Sequence, residues 1–388
     1  MSNARSHKIA PPFRADQVGS YLRPKRLLEA REKIGLAGRA GPGAAKPSPD
    51  QLAELRTVEN DCIREVVKLQ EDAGLRVVTD GELRRSSWQH GITERIIGTE
   101  LKAADVDGAV AFSSGLKSPI VRTVAKLRRG PGGLVLDDFK FTKSLTDRTV
   151  KVTVPAPMVL YRPERSATPI LNPDVYPDAD SFFADVIQLY RDEVKDLAAA
   201  GCTYLQIDNT MTAVLCDPRH REVSRRGGID PDQQVSRQGQ LISAVTKNRP
   251  AGMTISMHLC RGNAAGAWIA EGGYEPVAEK LFNEFDVDAF FLEYDSERAG
   301  DFAPLRFAPR NKTIVLGLLT TKTPGNDDKD TLKRRIEDAA RYVPLDNLCL
   351  SPQCGFASGA RGNPISIDDE KRKLALIIET AEEVWGSA

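Results

Sequence analysis

The sequence predicts an α/β protein that folds as a single (β/α)8 TIM barrel over residues 1–388. Short apolar runs alternate with helical patterns along the chain, and this alternation is typical of a parallel sheet. Eight such runs in 388 residues suit a closed barrel. The Gly-x-Gly-x-x-Gly turn of many doubly wound sheets does not follow the first run, which disfavours the open-sheet alternative.

Each predicted strand is a short apolar run, and most runs are followed by a helical pattern. Strands are predicted at 15–18, 76–79, 151–154, 204–207, 254–257, 289–292, 313–319 and 347–350. Helices are predicted at 180–200, 231–247, 275–285, 329–342 and 367–385. An earlier helix follows Ser48, because Ser48 suits the N-cap, Pro49 the first helical position and Gln51 the third position of a capping box.

Two segments interrupt this alternation and are predicted to be insertions. Residues 36–50 are rich in Gly, Ala and Pro, which indicates a mobile surface loop. Residues 101–149 place apolar runs on both sides of an Arg-Gly-Pro-Gly-Gly turn at 129–133, which indicates a β-hairpin.

The composition and charge of the chain argue against several kinds of partner and favour one cellular compartment. The chain has 54 basic and 54 acidic residues, so it lacks the excess positive charge that nucleic acid or an anionic membrane usually requires. It has no apolar stretch long enough for a membrane span, and its first residues are too polar for a secretory signal. Six cysteines in so long a chain do not make a disulfide scaffold. We therefore expect a cytoplasmic protein with no nucleic-acid or membrane partner.

Three predicted strands end in residues that are typical metal ligands. His258 and Cys260 close one strand, Glu293 closes the next, and Cys354 follows the last one. Residues two apart on a strand point to the same face, so His258 and Cys260 face the same way. The strand ends of a barrel form its active-site face, and nitrogen and sulfur ligands favour zinc in a tetrahedral site. The sequence therefore predicts a Zn²⁺ site.

The surrounding motifs resemble those of the cobalamin-independent methionine synthase family. They are DQVGSYLRP at 16–24, VVTDGELRR at 77–85, MHLCRGN at 257–263, FFLEYDSERAGDF at 290–302, VLGLLTTKT at 315–323 and LCLSPQCGFAS at 348–358. The resemblance covers nearly the whole chain but only the C-terminal catalytic barrel of the long enzymes. It is closest to the short, single-barrel branch that is labelled homocysteine methyltransferase-like.

The resemblance implies a role for each matching residue. The zinc ligands of the family match His258, Cys260, Glu293 and Cys354. Glu82 and Asp208 match acids that hold the amino group of homocysteine, and Ser20 matches a residue near its carboxylate. Local sequence alone also allows Glu82 to be a solvated strand end, Asp208 a helix cap and Ser20 a turn residue. The implied activity is zinc-dependent S-methylation of a homocysteine-like thiol, in which the metal activates the sulfur.

Neighbouring residues extend the predicted site. Arg261 directly follows a predicted ligand, and we expect it to face the pocket and bind substrate. We place Asp295 as a hydrogen-bond acceptor for the ligand histidine. Past the second strand, an anionic or aromatic part of a substrate would meet Arg84, Arg85, Trp88 and His90, although the two arginines also suit a solvated loop.

The methyl donor and two alternative functions stay open. In the long enzymes Glu-Pro follows the acid at 208, whereas Asn209-Thr210 stands here, and the N-terminal barrel is missing. These departures make methyltetrahydrofolate a doubtful donor and favour a smaller methyl donor or a corrinoid protein. One alternative is alkyl transfer to another thiol such as coenzyme M, which would require Arg84 or Arg85 for its sulfonate. The other is a non-catalytic zinc-binding protein.

Overall fold

A curled parallel sheet of seven strands dominates the computed structural model of the chain. The structure describes residues 10–36, 47–102, 112–114, 119–163, 166, 168–325 and 327–388. The sheet contains β1 (Val77–Val78), β4 (Thr149–Pro155), β5 (Tyr204–Asp208), β6 (Thr254–Leu259), β7 (Ala289–Glu293), β8 (Thr313–Leu319) and β9 (Leu348–Pro352) in that order. All neighbouring pairs are parallel, as the alternation of strands and helices predicts.

Helices connect the strands of this sheet. They are α1 (Lys25–Lys33), α2 (Pro49–Asp72), α3 (His90–Thr93), α4 (Leu136–Lys143), α5 (Ala179–Ala199), α6 (Thr210–Ala213), α7 (Pro218–Arg226), α8 (Pro231–Thr246), α9 (Glu275–Glu284), α10 (Lys329–Ala339) and α11 (Ile367–Trp385). The capping box of α2 is confirmed, because the Gln51 backbone N–H donates to the Ser48 hydroxyl at 3.2 Å and the Ser48 N–H donates to the Gln51 side chain at 2.8 Å. None of the described helices has the length and apolar character that crossing a bilayer requires.

The strand predicted at 15–18, which is the first along the chain, forms only a single bridge, between Ala15 and Leu350 of β9. The Asp16 backbone N–H donates to the Leu350 carbonyl at 2.9 Å, and the Tyr21 N–H donates to the carbonyl of Gly81, just beyond β1, at 3.1 Å. This segment therefore touches both edges of the seven-stranded sheet. The arrangement is consistent with a TIM-like barrel that has seven regular strands.

The hairpin predicted around 129–133 is not confirmed. Residues 136–143 after this turn form α4, whose first turn carries Asp137 and Asp138 and whose last turn carries Lys140 and Lys143, the charge order that a helix dipole favours. The antiparallel pair in this region is instead β2 (Ile96–Lys102) with β3 (Ile120–Arg129). Most of the connection between them, and residues 37–46 of the predicted surface loop, lie outside the described residues.

A buried ion pair ties the 15–18 segment to the sheet. The Lys151 ammonium of β4 lies 2.8 Å from one oxygen of Asp16, and the Tyr204 hydroxyl of β5 donates to the other oxygen at 3.0 Å. All three side chains are buried. We call Asp16, Lys151 and Tyr204 the interior cluster. It lies near the start of the strands, well below their carboxyl ends.

Candidate metal centre

Three of the four predicted metal ligands converge at the carboxyl ends of the strands. The ligand atoms of His258, Cys260 and Cys354 all lie within 4.8 Å of one another, and the three side chains are buried. His258 is the penultimate residue of β6, Cys260 directly follows that strand, and Cys354 lies two residues beyond β9. One imidazole and two thiols form a donor set that suits zinc. In the described part of the chain this is the one such group of close His, Cys and acidic ligand atoms.

His258 is held from two sides. Its Nδ1 lies 3.1 Å from Oδ1 of Asp208, and its Nε2 lies 3.1 Å from the carbonyl of Gln353. Both partners accept hydrogen bonds, so both contacts are satisfied when the ring carries two protons. Burial disfavours the charged ring, but the bond to Asp208 and the charge of Cys354 outweigh it and raise the pKa of His258.

The two thiols are unequal. A hydrogen bond from Cys260, together with nearby His258 and Lys322, lowers the pKa of Cys354 to about 6 against the effect of burial. The same bond and burial raise the pKa of Cys260 well above its usual value. The Ser358 hydroxyl also lies 3.5 Å from the Cys354 sulfur. Cys354 is therefore the more acidic of the two thiols, with Cys260 as its hydrogen-bond donor.

Glu293, the fourth predicted ligand, is not a member of this three-residue group. Its carboxylate accepts the backbone N–H of Arg261 at 2.6 Å, and its Oε1 lies 2.5 Å from Arg298 and 3.3 Å from the ammonium of Lys322. Burial opposes ionisation, yet Lys322, Arg261 and Arg298 lower the pKa of Glu293 to about 2. The carboxylate is thus fully charged and bound to cations, and its role as a ligand stays a prediction.

The three-residue group opens onto a pocket at the carboxyl ends of the strands. Glu82, Asp208 and Ser20, the predicted substrate-binding residues, line the same pocket as His258 and the two cysteines. Glu82 Oε1 accepts the Thr153 hydroxyl at 2.8 Å, whereas its buried Oε2 has no partner among the described residues. Burial raises the pKa of Glu82, and Asp208 raises it further. Arg85, 3.5 Å from Oε1, opposes this rise, so what this end of the pocket leaves open is the buried Oε2 of Glu82, which lacks a hydrogen-bond donor.

The backbone around this acidic end is specialised. Glu82 has φ +56°, in the left-handed region that costs energy for residues other than Gly and that is common at functional sites. The loop after Cys354 packs directly on Ser20, since a Cβ on Gly355 would lie 2.0 Å from the Ser20 hydroxyl. The Ala357 N–H donates to that hydroxyl at 3.3 Å. Ser20 and the loop that carries Cys354 are therefore held together.

The other half of the pocket is apolar. Its side chains come from several loops and are Trp88, Phe112, Met211, Val214 and Ile269. Phe112 belongs to the connection between β2 and β3 and packs against Val214 and Ile269. The neighbouring Ser113 exchanges hydrogen bonds with Trp268, of 2.6 and 3.2 Å. The insertion thus contributes to the pocket wall.

Arg261 and Asp295 do not make the contacts that the sequence predicts for them. Arg261 is not among the residues that line the pocket, because its guanidinium stacks 4.3 Å from the Tyr274 ring and donates to the Gly272 carbonyl at 2.8 Å. Asp295 lies 3.5 Å from both Arg298 and Lys322, and Asp208 instead of Asp295 is the acid that contacts the histidine.

Of the four residues after the second strand, only Trp88 lines the pocket. Arg84 binds Asp138 at 2.8 Å, Arg85 binds the Thr153 hydroxyl at 2.9 Å, and His90 contacts the Ser87 hydroxyl at 2.9 Å. Among the described lining residues, Arg162 is the one Lys or Arg.

Sequence reasoning missed the partners of the acids. Arg298 and Lys322 bind Glu293, and Thr153 and Gln206 support Glu82 and Asp208. Lys322 does follow the end of β8, so its position at the active-site face of the sheet was a usable signal. The contacts of Arg298 depend on how its loop folds, and no spacing in the sequence indicates them.

Comparison with known proteins identifies relatives of the whole chain. Residues 42–369 match the sequence model of the cobalamin-independent synthase catalytic domain. The uncharacterized protein YxjH of Bacillus subtilis is 38% identical over 377 residues, which cover 96% of this chain and 95% of YxjH. The methionine synthase of Pyrococcus abyssi is 25% identical over 342 residues, with 87% and 85% of the two chains covered. A crystal structure from Listeria monocytogenes, assigned as a vitamin-B12 independent methionine synthase, has a TM-score of 0.72 and 34% identity over 97% of this chain and 99% of that chain.

Proposed function

We propose that this chain, which belongs to the cobalamin-independent methionine synthase family, is a zinc-dependent methyltransferase that methylates the sulfur of homocysteine or of a thiol with the same amino-acid end. The strongest support is that the candidate metal ligands and the acidic residues share one pocket. The buried group of one imidazole and two thiols opens onto the same pocket as the acids Glu82 and Asp208. A metal site and an ammonium site within one pocket match the two ends of an amino-acid thiol.

His258, Cys260 and Cys354 would hold the zinc ion. When bound, zinc lowers the pKa of a coordinated thiol, so that the nucleophilic thiolate is available at neutral pH. Since Glu293 is engaged by Arg298 and Lys322, this three-residue group leaves room for a further sulfur ligand. Catalytic zinc sites commonly have three protein ligands and one open position, which agrees with the proposal.

The acidic end of the pocket orients the substrate. Glu82 Oε2 and the carboxylate of Asp208 would accept the substrate ammonium, and Ser20 would lie near its carboxylate. An ammonium group there would donate to the one oxygen of each acid that has no described hydrogen-bond donor. The substrate sulfur then displaces the donor's leaving group from the methyl carbon in one step, in which one C–S bond forms and the bond from donor to methyl breaks.

The donor would occupy the apolar half of the pocket. The pocket also has apolar lining side chains, which suit a second molecule better than they suit the amino-acid end of the thiol. Trp88, Phe112 and Met211 offer an apolar surface to that molecule. The comparisons give no support to a corrinoid protein, and we propose a small-molecule methyl donor.

The two alternatives gain no specific support. Coenzyme M would require a cationic pocket, but Arg84 and Arg85 are bound to Asp138 and Thr153 and do not line the pocket. A non-catalytic zinc protein leaves the unpaired Glu82 oxygen unexplained, since structural sites are closed and need no adjoining charged pocket.

Metal analysis of the Cys260→Ala variant tests the first step. We expect wild-type protein to contain one zinc ion per chain and to form methionine from homocysteine in a screen of small methyl donors. Cys260→Ala should lose most of its zinc, because it removes one of the three protein ligands on which zinc binding depends. Cys62→Ala, which removes a buried thiol of α2, is the matched control and should keep the metal. Wild-type zinc content in Cys260→Ala would overturn the assignment.

A further inference from the structure

Asp208 lines the substrate pocket and also contacts a candidate metal ligand. We infer that Asp208 is a positioning residue for the metal: its Oδ1 fixes the ring of His258 through Nδ1, the ion would take Nε2 in place of the contact with the Gln353 carbonyl, and Oδ2 would receive the substrate ammonium. One carboxylate would thus connect the substrate site to the metal site. The inference rests on the proposed function, because it assumes that His258 holds zinc.

The backbone places the two residues side by side. Asp208 is the last residue of β5, His258 is the fifth of the six residues of β6, and the two are direct partners in the parallel register of these strands. The Asn209 backbone N–H donates to the His258 carbonyl at 2.8 Å and extends this pairing beyond the strand end. The 3.1 Å contact between Oδ1 and Nδ1 therefore follows from sheet geometry and needs no loop movement.

A third side chain fixes the carboxylate from the other direction. The amide Nε2 of Gln206 donates to Asp208 Oδ1 at 2.8 Å and to the Val18 carbonyl at 2.7 Å. Gln206 is fully buried, so these bonds do not exchange with solvent. Oδ1 is thereby committed to Gln206 and His258, whereas no described residue donates to Oδ2. Oδ2 is the oxygen left for a ligand.

The chemistry of metal-bound histidine gives this contact its function. A ligand histidine usually donates its second N–H to a carboxylate, which selects the tautomer, orients the ring and makes it a stronger ligand. Loss of such a partner typically costs roughly 10–100-fold in metal affinity. Glu82 shares the pocket but has a different partner, since its Oε1 accepts the hydroxyl of Thr153. The two acids should therefore differ in their effect on the metal although both face the substrate.

Asp208→Asn and Glu82→Gln form a matched pair of variants for the test. Zinc affinity is measured by competition with a chelator, and the visible spectrum of the cobalt-substituted protein reports on the metal environment. Asp208→Asn should bind zinc roughly 10–100-fold more weakly and shift the cobalt spectrum. Glu82→Gln should keep wild-type zinc affinity and spectrum. Both should raise the KM for homocysteine, and at saturating zinc Asp208→Asn should regain part of its lost kcat.

The thermal midpoint of the metal-free proteins shows whether Asp208→Asn is folded. If it is not, Gln206→Met keeps the carboxylate but removes one of its two fixing bonds, and it should weaken zinc binding in the same direction by a smaller factor. Wild-type zinc affinity in a folded Asp208→Asn or Gln206→Met protein overturns the inference and leaves the proposed function standing. Absence of zinc from the wild type overturns the proposed function itself.

Discussion

The sheet interior holds two polar clusters at different heights along its strands, and they differ in how many of their atoms are paired. In the interior cluster both oxygens of Asp16 accept hydrogen bonds, from Lys151 and Tyr204 among others. At the strand ends, Glu82 Oε2 is buried with no described partner, and no described residue donates to Asp208 Oδ2.

A buried carboxylate oxygen without a hydrogen bond is costly, so a protein tolerates one where a ligand can complete the pairing. The interior cluster, in which both oxygens of Asp16 are paired, ties the 15–18 segment to the sheet. Glu82 and Asp208 each keep one oxygen without a described donor, and we propose that these two oxygens receive the substrate. Both sites are charged, so the difference between them is in the pairing of single oxygens.

The largest effect is expected from Lys151→Met in the interior cluster. The variant leaves Asp16 buried without its counter-charge, which should lower the free energy of unfolding by about 3–5 kcal/mol. Zinc affinity and the KM for homocysteine should not change while the protein is folded. Urea unfolding of the metal-free protein measures the first quantity.

Lys68→Met is a matched control for this prediction. Its ion pair with Asp72 has the same 2.8 Å length but is exposed, so its loss should lower the free energy of unfolding far less. The account would be contradicted if Lys151→Met lowered the free energy of unfolding no more than Lys68→Met does. It would also be contradicted if Lys151→Met abolished zinc binding, because the interior cluster is expected to affect stability alone.

Glu82→Gln at the strand ends should have a smaller effect, and its main effect should be on substrate binding instead of on the free energy of unfolding. Removing a charged hydrogen-bond partner of the ammonium should cost about 1.5–3 kcal/mol of binding, which corresponds to a roughly 10- to 100-fold higher KM for homocysteine. The free energy of unfolding should not rise, because Arg85, 3.5 Å from Glu82 and also buried, loses its counter-charge. Steady-state kinetics and urea unfolding measure the two quantities.

Glu279→Gln, on the exposed face of α9, provides the control and should alter neither quantity. A KM equal to that of the wild type in Glu82→Gln would remove this residue from the substrate site.

The sequence predicted the parts of the fold that depend on local pattern. The helix expected at 180–200 is α5, which the side chain of Asp178 caps, and the apolar run at 313–319 is β8. Such elements bury one continuous apolar face, so spacing alone identifies them. The run at 15–18 contains two polar residues, Asp16 and Gln17; Asp16 is bound to Lys151, and the segment makes one bridge instead of a full strand.

The sequence predicts which strand ends form the site, but it does not predict which side chains contact one another there. Convergence of parallel strands brought His258, Cys260 and Cys354 together as expected. The partner of the histidine depends on the register between β5 and β6, which selects Asp208 over Asp295. The direction of Arg261 depends on Tyr274, distant in sequence, whose ring its guanidinium covers. Contacts of this kind are decided by tertiary packing, which a local motif does not contain.

X-ray absorption at the zinc edge, recorded on the same protein sample with and without homocysteine, tests thiol activation most directly. The account predicts one zinc ion per chain with two sulfur ligands, from Cys260 and Cys354, and a third sulfur ligand once homocysteine is added. A sulfur count that stays at two in saturating homocysteine, or protein that holds no zinc, would contradict it.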